Sequence, residues 1–497
     1  MTMKKILVVI PELTYSGSTF SSLRICNVLL SENHSVHLMS YSDGPFSAEF
    51  SKIGISSEII DKNEIYDNAL LYRTLAEFDL VIANTVIVYA LADVAKNIVP
   101  TIWYIREAQN LSWQFCRFDY RRYYALKRAE NIYSVSEYAA EYIKNNYNRN
   151  VHILHNCVED VGCEFTKKPN YDDGIIRIIA IGTLEPRKAF DVLVSAFMQL
   201  PSDIKPYFEI HIVGRITDYA KEYGADLLEM ISSESQITYH GEITDRNTLL
   251  QLIKNCDVVS VPSKDESCSL VALEGAMLAK PLILSKNIGA AYLIEESKSG
   301  WFFDTDNTES LSNVLKTVYG CKDNLIQMGL SARKSYEATS TFEEYRKNII
   351  AMVNNNFVED ITEYRNQHYE KTFFEAKQRD FEKTTLKPLY QFNCDLPKDN
   401  SFYIYGAGEV GRSFLDMCFQ HNLKPIAIID GNENLNGTYY EGIEIISLDK
   451  LKNNDSKKLL YICIYKKDTF EKIVSDLEEK HICLNRFVWV NPVLIRK

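Results

Sequence analysis

Near its start the chain runs "KKILVVI" and then stops at Pro11 and Glu12. An apolar run that short, closed by a breaker, predicts a first buried strand and not an export signal. Runs of the same kind return as "SVHLMSY", "FDLVIAN", "PTIWYIRE" and "NIYSVS", with helical patterns such as "SSLRICNVLLSEN" between them. Strands alternating with helices predict a parallel sheet covered on both faces, here over residues 1–165. The polar stretch 165–174, "FTKKPNYDDG", reads as a linker. Beyond it a second series appears: "IIRIIAIG", "FEIHIVG", "ITYHG", "CDVVSVPS" and "KPLILS". Helical patterns at 188–199, 246–255 and 269–279 separate these runs, giving a second α/β lobe over 175–322. Two such lobes in succession predict a cleft between them. Ligands of these sheets bind beyond the carboxyl ends of the strands, where loops meet helix N-termini. Residues 323–395 are charged and rich in Glu, Lys and Tyr, and read as a helical connector packing partly on the two lobes. Within 396–497, "SFYIYGAGEVGRSFLDMCFQHNLKPIAIID" gives strand, glycine turn, helix and strand, the opening of a third, smaller Rossmann-like domain.

Length and composition fit that division. At 497 residues the chain is too long for one core. An apolar share of 46% and a charged share of 25% are those of a globular protein. A net charge of −12 argues against a nucleic-acid partner, which would need a broad basic face. Eleven cysteines with no C-x-x-C pair suit a reducing compartment better than a disulfide framework or a zinc site. The most hydrophobic long window, "LVIANTVIVYALADVAKNIVP", is interrupted by Asn84, Asp93 and Lys96 and falls short of a membrane span. The expected location is the cytoplasm, with at most peripheral contact on the inner face of the membrane.

The chemistry gathers in "PSKDESCSLVALEGAMLAKP", residues 262–281. On a helical wheel started at Leu270, Leu273, Met277, Leu278 and Val271 share one arc, and Glu274 falls within it, at about 40°. A carboxylate buried without a partner costs several kcal/mol, so Glu274 must be paired, protonated or bound to something. Glu266 lies eight residues earlier, in the loop before the helix. A helix start offers free N–H donors and a positive dipole end, which suit an anion. Two carboxylates around such a start fit a ligand bearing both phosphates and hydroxyls, such as a nucleotide sugar. The plainer alternative makes Glu266 a solvated loop charge and pairs Glu274 with a lysine. A second patch, "IIRIIAIGTLEPRKAFDVLVSAF", places Arg187 and Lys188 at a helix start, the wrong end for cations on stability grounds. An anion bound between the patches would explain both.

In order and spacing, "GTLEPRKAFDVLVSAF", "VPSKDESCSLVALEGAMLAKPLI" and "GAAYLIEESKSGWFF" resemble the nucleotide-binding half of family 4 retaining glycosyltransferases of GT-B fold. The resemblance covers residues 175–303 and implies Lys188 on the donor diphosphate, Glu266 at the donor sugar and Glu274 on the ribose. A ribose, and not a cation, would then be the partner of Glu274. Backbone amides of Cys268, Ser269 and Leu270 would meet phosphate or sugar oxygens. Three departures stand out. Gly182-Thr183 replaces the family's Gly-Arg, leaving Arg187 to supply the missing charge. Ala189 stands where glycine often follows the lysine, and Glu266-Ser267-Cys268-Ser269 is a bulkier version of the first glutamate loop.

The first half resembles the acceptor lobe more loosely. Gly17 and Ser18 open its first helix, where a glycine would let the backbone approach the donor. At the end of "TIWYIREAQN" relatives carry His-Glu, whereas Arg106-Glu107 stands here. Arginine stays protonated and only donates, so Arg106 suits a phosphate or acceptor contact, not a base. "ILHNCVED" resembles the Asn-Gly turn of the interdomain crossover, with Cys157 for glycine. The resemblance implies no metal and no required cofactor: the leaving diphosphate takes the acceptor proton, and Lys188, Arg187 and the 268–270 helix start stabilise it, with Glu266 orienting the sugar. Residues 113–128, "WQFCRFDYRRYYALKR", interleave aromatics with Arg117, Arg121, Arg122, Lys127 and Arg128, as would a helix lying on an anionic membrane or an ordinary amphipathic helix. In the third unit Gly406, Gly408 and Gly411 form G-x-G-x-x-G and Asp430 ends the next strand, an accessory site for a nucleotide or NAD, or a purely structural turn.

The expected function is transfer of a sugar from a nucleoside diphosphate sugar to a glycan or lipid-linked acceptor in surface polysaccharide biosynthesis. Two rivals are a nucleotide-sugar-binding scaffold without catalysis, suggested by Thr183 and Arg106, and a nucleotide-sugar oxidoreductase centred on the third unit.

Overall fold

A computed structural model of the chain describes residues 3–62, 65, 69–109, 111, 120–162, 174–368, 390–392, 394, 396–420, 423–432, 435–440, 443–450, 458–464, 467–479, 486–490 and 492–494. Residues 165–173 of the expected linker, 113–119 of the basic-aromatic segment and 369–389 of the expected connector lie outside them. The chain divides into two compact units, Met1–Leu111 with Ala125–Lys371, and Ser112–Tyr124 with Thr372–Lys497.

The first unit contains two parallel sheets. One is built from β1 (Lys5–Ile10), β2 (Ser35–Ser40), β3 (Ser57–Ile59), β4 (Leu80–Asn84), β5 (Thr101–Ile105), β6 (Asn131–Ser134) and β7 (His152–Ile153). Their order is β3-β2-β1-β4-β5-β6-β7. The other holds β8 (Ile176–Ile181), β9 (Phe208–Val213), β10 (Ile237–Tyr239), β11 (Val258–Val261), β12 (Leu282–Ser285) and β13 (Gly300–Phe303), in the order β10-β9-β8-β11-β12-β13. Both sheets are covered by helices, so their central strands are apolar on both faces: Ile6 to Ile10 and every residue of β4, β5, β11 and β12 are buried. In each sheet the winding direction reverses once, between β1 and β4 and between β8 and β11. The loops after β8 and β11 therefore leave neighbouring strands at one crevice, the place where such sheets hold ligands.

The chain passes between the lobes twice. Leu154 and Cys157 belong to the first lobe's core and Val158 to the second's. Helix Leu325–Thr339 then adds Ala332 and Tyr336 to the second core, while helix Phe342–Asn354 returns Tyr345, Ile349, Met352 and Val353 to the first. The two crossings touch: the Val158 N–H donates to the Ser340 carbonyl at 3.3 Å, and the Tyr336 hydroxyl donates to the Val158 carbonyl at 3.0 Å. Farther on, the Tyr364 hydroxyl donates to the Lys96 carbonyl and Arg365 Nε to the Ile98 carbonyl, fastening residues 361–368 to the first lobe.

In the second unit β14 (Tyr390–Phe392) pairs antiparallel with β21 (Pro492–Leu494). A six-stranded sheet comprises β15 (Phe402–Tyr405), β16 (Ile428–Ile429), β17 (Tyr439–Tyr440), β18 (Ile443–Ile446), β19 (Leu459–Cys463) and β20 (Arg486–Val490). Its order, β17-β18-β16-β15-β19-β20, is parallel except at the β17–β18 edge, and its reversal lies between β15 and β19. This is a third Rossmann-like sheet.

Helix Leu270–Met277, which carries Glu274, approaches its sheet through a glycine. A Cβ at Gly275 would stand 2.8 Å from Val259 Cγ2 and 2.9 Å from Leu282 Cδ2, both on buried strands. Gly275→Ala is expected to destabilise the first unit by about 1–3 kcal/mol through overpacking. Chemical denaturation measures it; an unchanged midpoint means the helix has room that the packing does not show.

Candidate functional site

The loop after β8 turns through Pro186–Lys188 into helix Phe190–Met198. Ala189 joins the two at φ 52°, a left-handed conformation that explains why glycine suits this position. The Lys188 stem crosses Gly182, where a Cβ would lie 3.5 Å from Lys188 Cε. Its ammonium donates to Glu266 Oε2 at 2.5 Å, and the Ser263 hydroxyl donates to the same oxygen at 2.9 Å. Arg187 donates to the Glu185 carboxylate at 2.7 Å and to the Asp265 carbonyl at 2.8 Å, with its Nη1 4.0 Å from Glu266. The Lys264 N–H closes the arrangement by donating to the Arg187 carbonyl at 2.8 Å. Lys188, Arg187 and Glu266 thus come together across the β8–β11 crevice. Glu266 is not a solvated loop charge, because Lys188 neutralises it. Thr183 is half-buried in the same loop.

Glu274 is 7% exposed, on the helix capped by the Ser269 hydroxyl, which accepts the Ala272 N–H at 3.2 Å. Its Oε1 lies 3.1 Å from Arg246 Nη1, so a cation does meet it, contrary to the expectation that a ribose alone would. Arg246 opens helix Arg246–Asn255 behind the N-cap Asp245. A cation in a first helical turn opposes the dipole, the same signal that singled out Arg187 and Lys188, and it identifies Arg246 too. Desolvation dominates at Glu274 and pushes its carboxyl above the ordinary value, while Arg246 and then Arg24 pull it down. The amides of Cys268, Ser269 and Leu270 donate to nothing among the described residues. Burial pushes the Cys268 thiol up to about 11, leaving it un-ionised at neutral pH.

Both lobes grip the 265–269 loop. The Ser136 hydroxyl donates to the Ser267 carbonyl at 2.7 Å and the Tyr138 hydroxyl to Asp265 Oδ1 at 2.9 Å. Gly289 fits because a Cβ there would lie 1.7 Å from the Ser267 carbonyl oxygen and 2.4 Å from Ser136 Oγ. Nearby, His155 stacks on Tyr292 with ring centroids 3.9 Å apart. In the first lobe Gly17 begins helix Gly17–Ser31 behind the cap Ser16, whose hydroxyl lies 2.8 Å from that of Ser18. A Cβ at Gly17 would meet nothing within 4 Å, so the position leaves open space without being conformationally required. Arg106 donates to Ser21 Oγ and to Asn156 Oδ1, each at 2.7 Å. Beside it the Glu107 carboxylate accepts the N–H groups of Arg106 and Val86; burial pushes it up and these donors hold it down.

The glycine turn of the second unit is self-braced. Gly406 has φ 100°, and a Cβ at Gly411 would fall 1.8 Å from the Gly406 carbonyl oxygen. Asp430 Oδ2 accepts the Ala407 N–H at 2.6 Å and Oδ1 the Asn432 N–H at 2.8 Å, so this acid binds the turn itself. Gly408 is exposed. In the basic-aromatic segment, helix Tyr120–Arg128 forms, but Arg128 donates to both oxygens of the buried Asp93 and does not present its charge outward. No described helix is long and apolar enough to cross a membrane. Among the described residues no group of three or more His, Cys, Asp or Glu is placed to hold a metal ion.

Comparison with known proteins bears on this geometry. Residues 164–335 match the family model of glycosyl transferases group 1. The D-inositol 3-phosphate glycosyltransferase of Rhodococcus jostii is 26% identical over 189 residues, 36% of this chain and 41% of that protein. The chain spans less than half the length of the curated relatives it matches first. Among solved structures, Anabaena Alr3699/HepE in complex with UDP and glucose superposes with a TM-score of 0.58 at 18% identity, over 71% of this chain and all of that one. WaaG, a glycosyltransferase involved in lipopolysaccharide biosynthesis, gives 0.53 at 14% identity, over 70% and 99%. The fold is GT-B. Lys188, Glu266, Glu274 and the 268–270 amides all fall inside the group 1 match.

Because burial raises the Glu274 carboxyl, the folded chain holds that proton where the unfolded chain has released it. Its contribution to stability is complete below the ordinary value of 4.5 and is lost as pH rises through the raised one. Glu274→Gln is therefore expected to be more stable than the natural chain at neutral pH, with the gap closing as pH falls towards 4.5. Thermal unfolding across this range tests it. A variant less stable at every pH would show that the Arg246 contact outweighs desolvation.

Proposed function

We propose that the first unit is a retaining glycosyltransferase, transferring a hexose from a nucleoside diphosphate sugar to a glycan or lipid-linked acceptor in surface polysaccharide biosynthesis. One observation carries the reading: Lys188 and Glu266 pair at the crevice between β8 and β11, and the helix that follows holds the buried Glu274 and begins with three amides that have no acceptor among the described residues. On this reading the ribose hydroxyls donate to Glu274, whose ionised form is the stronger acceptor. The diphosphate takes the 268–270 amides, and Lys188 exchanges Glu266 for a phosphate oxygen. Released from the ammonium, the Glu266 carboxylate is free to accept hydroxyls of the sugar and fix its orientation. As the glycosidic bond to the diphosphate breaks, negative charge grows on the leaving oxygen, where preorganised donors lower the barrier most. That oxygen takes the acceptor's proton on the face the leaving group vacates, so configuration is kept. UDP in the Anabaena protein makes uracil the first base to try, and the lipopolysaccharide role of WaaG supports a surface glycan. A lipid-linked acceptor would bring the chain to the cytoplasmic face of a membrane. The second unit, with its braced glycine turn, is an accessory domain.

The test is calorimetric titration of UDP, GDP and ADP into the full chain, together with donor hydrolysis. One nucleotide is expected to bind at micromolar Kd. Glu274→Ala should weaken it by about tenfold to a hundredfold, as loss of a hydrogen bond to a charged group does. Glu266→Ala should keep the nucleotide and lose about a hundredfold or more in turnover. If no nucleotide binds, or Glu274→Ala binds equally well, the reading fails. Binding without turnover in the natural chain would favour the scaffold, which Thr183 and Arg106 suggest.

A further inference from the structure

Two arginines of the first lobe, Arg24 and Arg106, make no ion pair among the described residues. Arg106, just after β5, donates only to the neutral oxygens of Ser21 and Asn156, and its guanidinium lies 5.0 Å from the centre of the Tyr104 ring. Arg24 lies one helical turn beyond Ser21 on the same helix and is half-buried. Among the described residues neither guanidinium has a carboxylate within ion-pair distance, in a chain whose net charge is −12. The guanidinium of Arg106 meets the Glu107 carboxyl, and that of Arg24 the Glu274 carboxyl, only through space, so both keep donors available for an anion.

Ser21 links the two arginines: Arg106 bonds its Oγ, and Arg24 follows one helical turn later. The Tyr345 hydroxyl lies 3.2 Å from Ser21 Oγ, the atom Arg106 bonds, and both arginines act electrostatically on it. Arg24 also acts on Glu274 and Cys157, and Arg106 on Cys268, so both fields reach the residues at and beyond the start of helix Leu270–Met277. In the second lobe, by contrast, each basic side chain of the crevice rests on an acceptor of the protein until a sugar donor displaces it. Lys188 is on Glu266, Arg187 is on Glu185 and the Asp265 carbonyl, and Thr183 brings no charge.

We propose that Arg24 and Arg106 form a phosphate-binding pair that adds positive charge from the first lobe to that of Lys188. The planar guanidinium forks suit phosphate oxygens, and the donor diphosphate of the reading above is the first source. A phosphate on the acceptor has the same chemistry and is the second. The proposal rests on the reading above for the identity of the donor, not for the existence of the anion site.

The experiment titrates inorganic pyrophosphate and UDP into the full chain and into Arg24→Gln, Arg24→Lys and Arg106→Gln, with thermal midpoints measured for each. Arg24 makes no hydrogen bond among the described residues, so Arg24→Gln is expected to keep the natural midpoint, whereas Arg106→Gln loses two. Pyrophosphate affinity should fall by about tenfold to a hundredfold in Arg24→Gln and recover partly in Arg24→Lys. A parallel fall for UDP assigns the site to the donor. A fall for pyrophosphate with UDP unchanged assigns it to a phosphorylated acceptor. Pyrophosphate binding equally to the natural chain and to a fully folded Arg24→Gln overturns the proposal. If no nucleoside diphosphate binds the natural chain while pyrophosphate binding still depends on Arg24, the donor reading falls and the anion site stands.

Discussion

The ion pair between Lys188 and Glu266 is possible only because β8 and β11 are neighbours, although 78 residues separate the two side chains. Winding reverses at this place in the second sheet, so the two loops open a crevice instead of being covered by a crossover helix. Everything else about the site follows from that adjacency. Arg187 bonds the Asp265 carbonyl because it rides on the same short turn as Lys188. Helix Leu270–Met277 starts where it does because β11 ends at Val261 and the loop is braced on the way. With the pair formed, the mostly buried Lys188 ammonium and Glu266 carboxylate each meet an opposite charge.

Much of the architecture was legible because parallel strands buried on both faces read as continuous apolar runs, as β1, β4 and β11 do. Glu274 was legible for the opposite reason: a carboxylate in an apolar arc contradicts its surroundings. Partnership was not. Lys188 meeting Glu266, Arg246 meeting Glu274 and the lack of a counter-ion at Arg24 are long-range facts, and local pattern carries no information about them. The helices at 325–339 and 342–354 show the same limit. Their sequences say that they are helical, while only the packing shows that one joins the second lobe's core and the other the first's.

The second unit shows how far a glycine motif reaches. Gly406 and Gly411 are required by backbone geometry alone, one for its positive φ and the other for its contact with the Gly406 carbonyl. Asp430, at the spacing of a ribose ligand, spends both oxygens on backbone N–H groups of the turn and its own loop.

The two passages between the lobes lie side by side, the Val158 N–H on the Ser340 carbonyl and the Tyr336 hydroxyl on the Val158 carbonyl. A single covalent tether would leave one lobe free to swivel on the other like a ball on a string. Two tethers fastened together leave fewer ways for one lobe to turn on the other than one tether would. Ser136 and Gly289 close on the Ser267 carbonyl from opposite lobes, so any relative turn of the lobes must disturb that contact. The lobes are thus held together as much by a helix that comes back as by the first crossing.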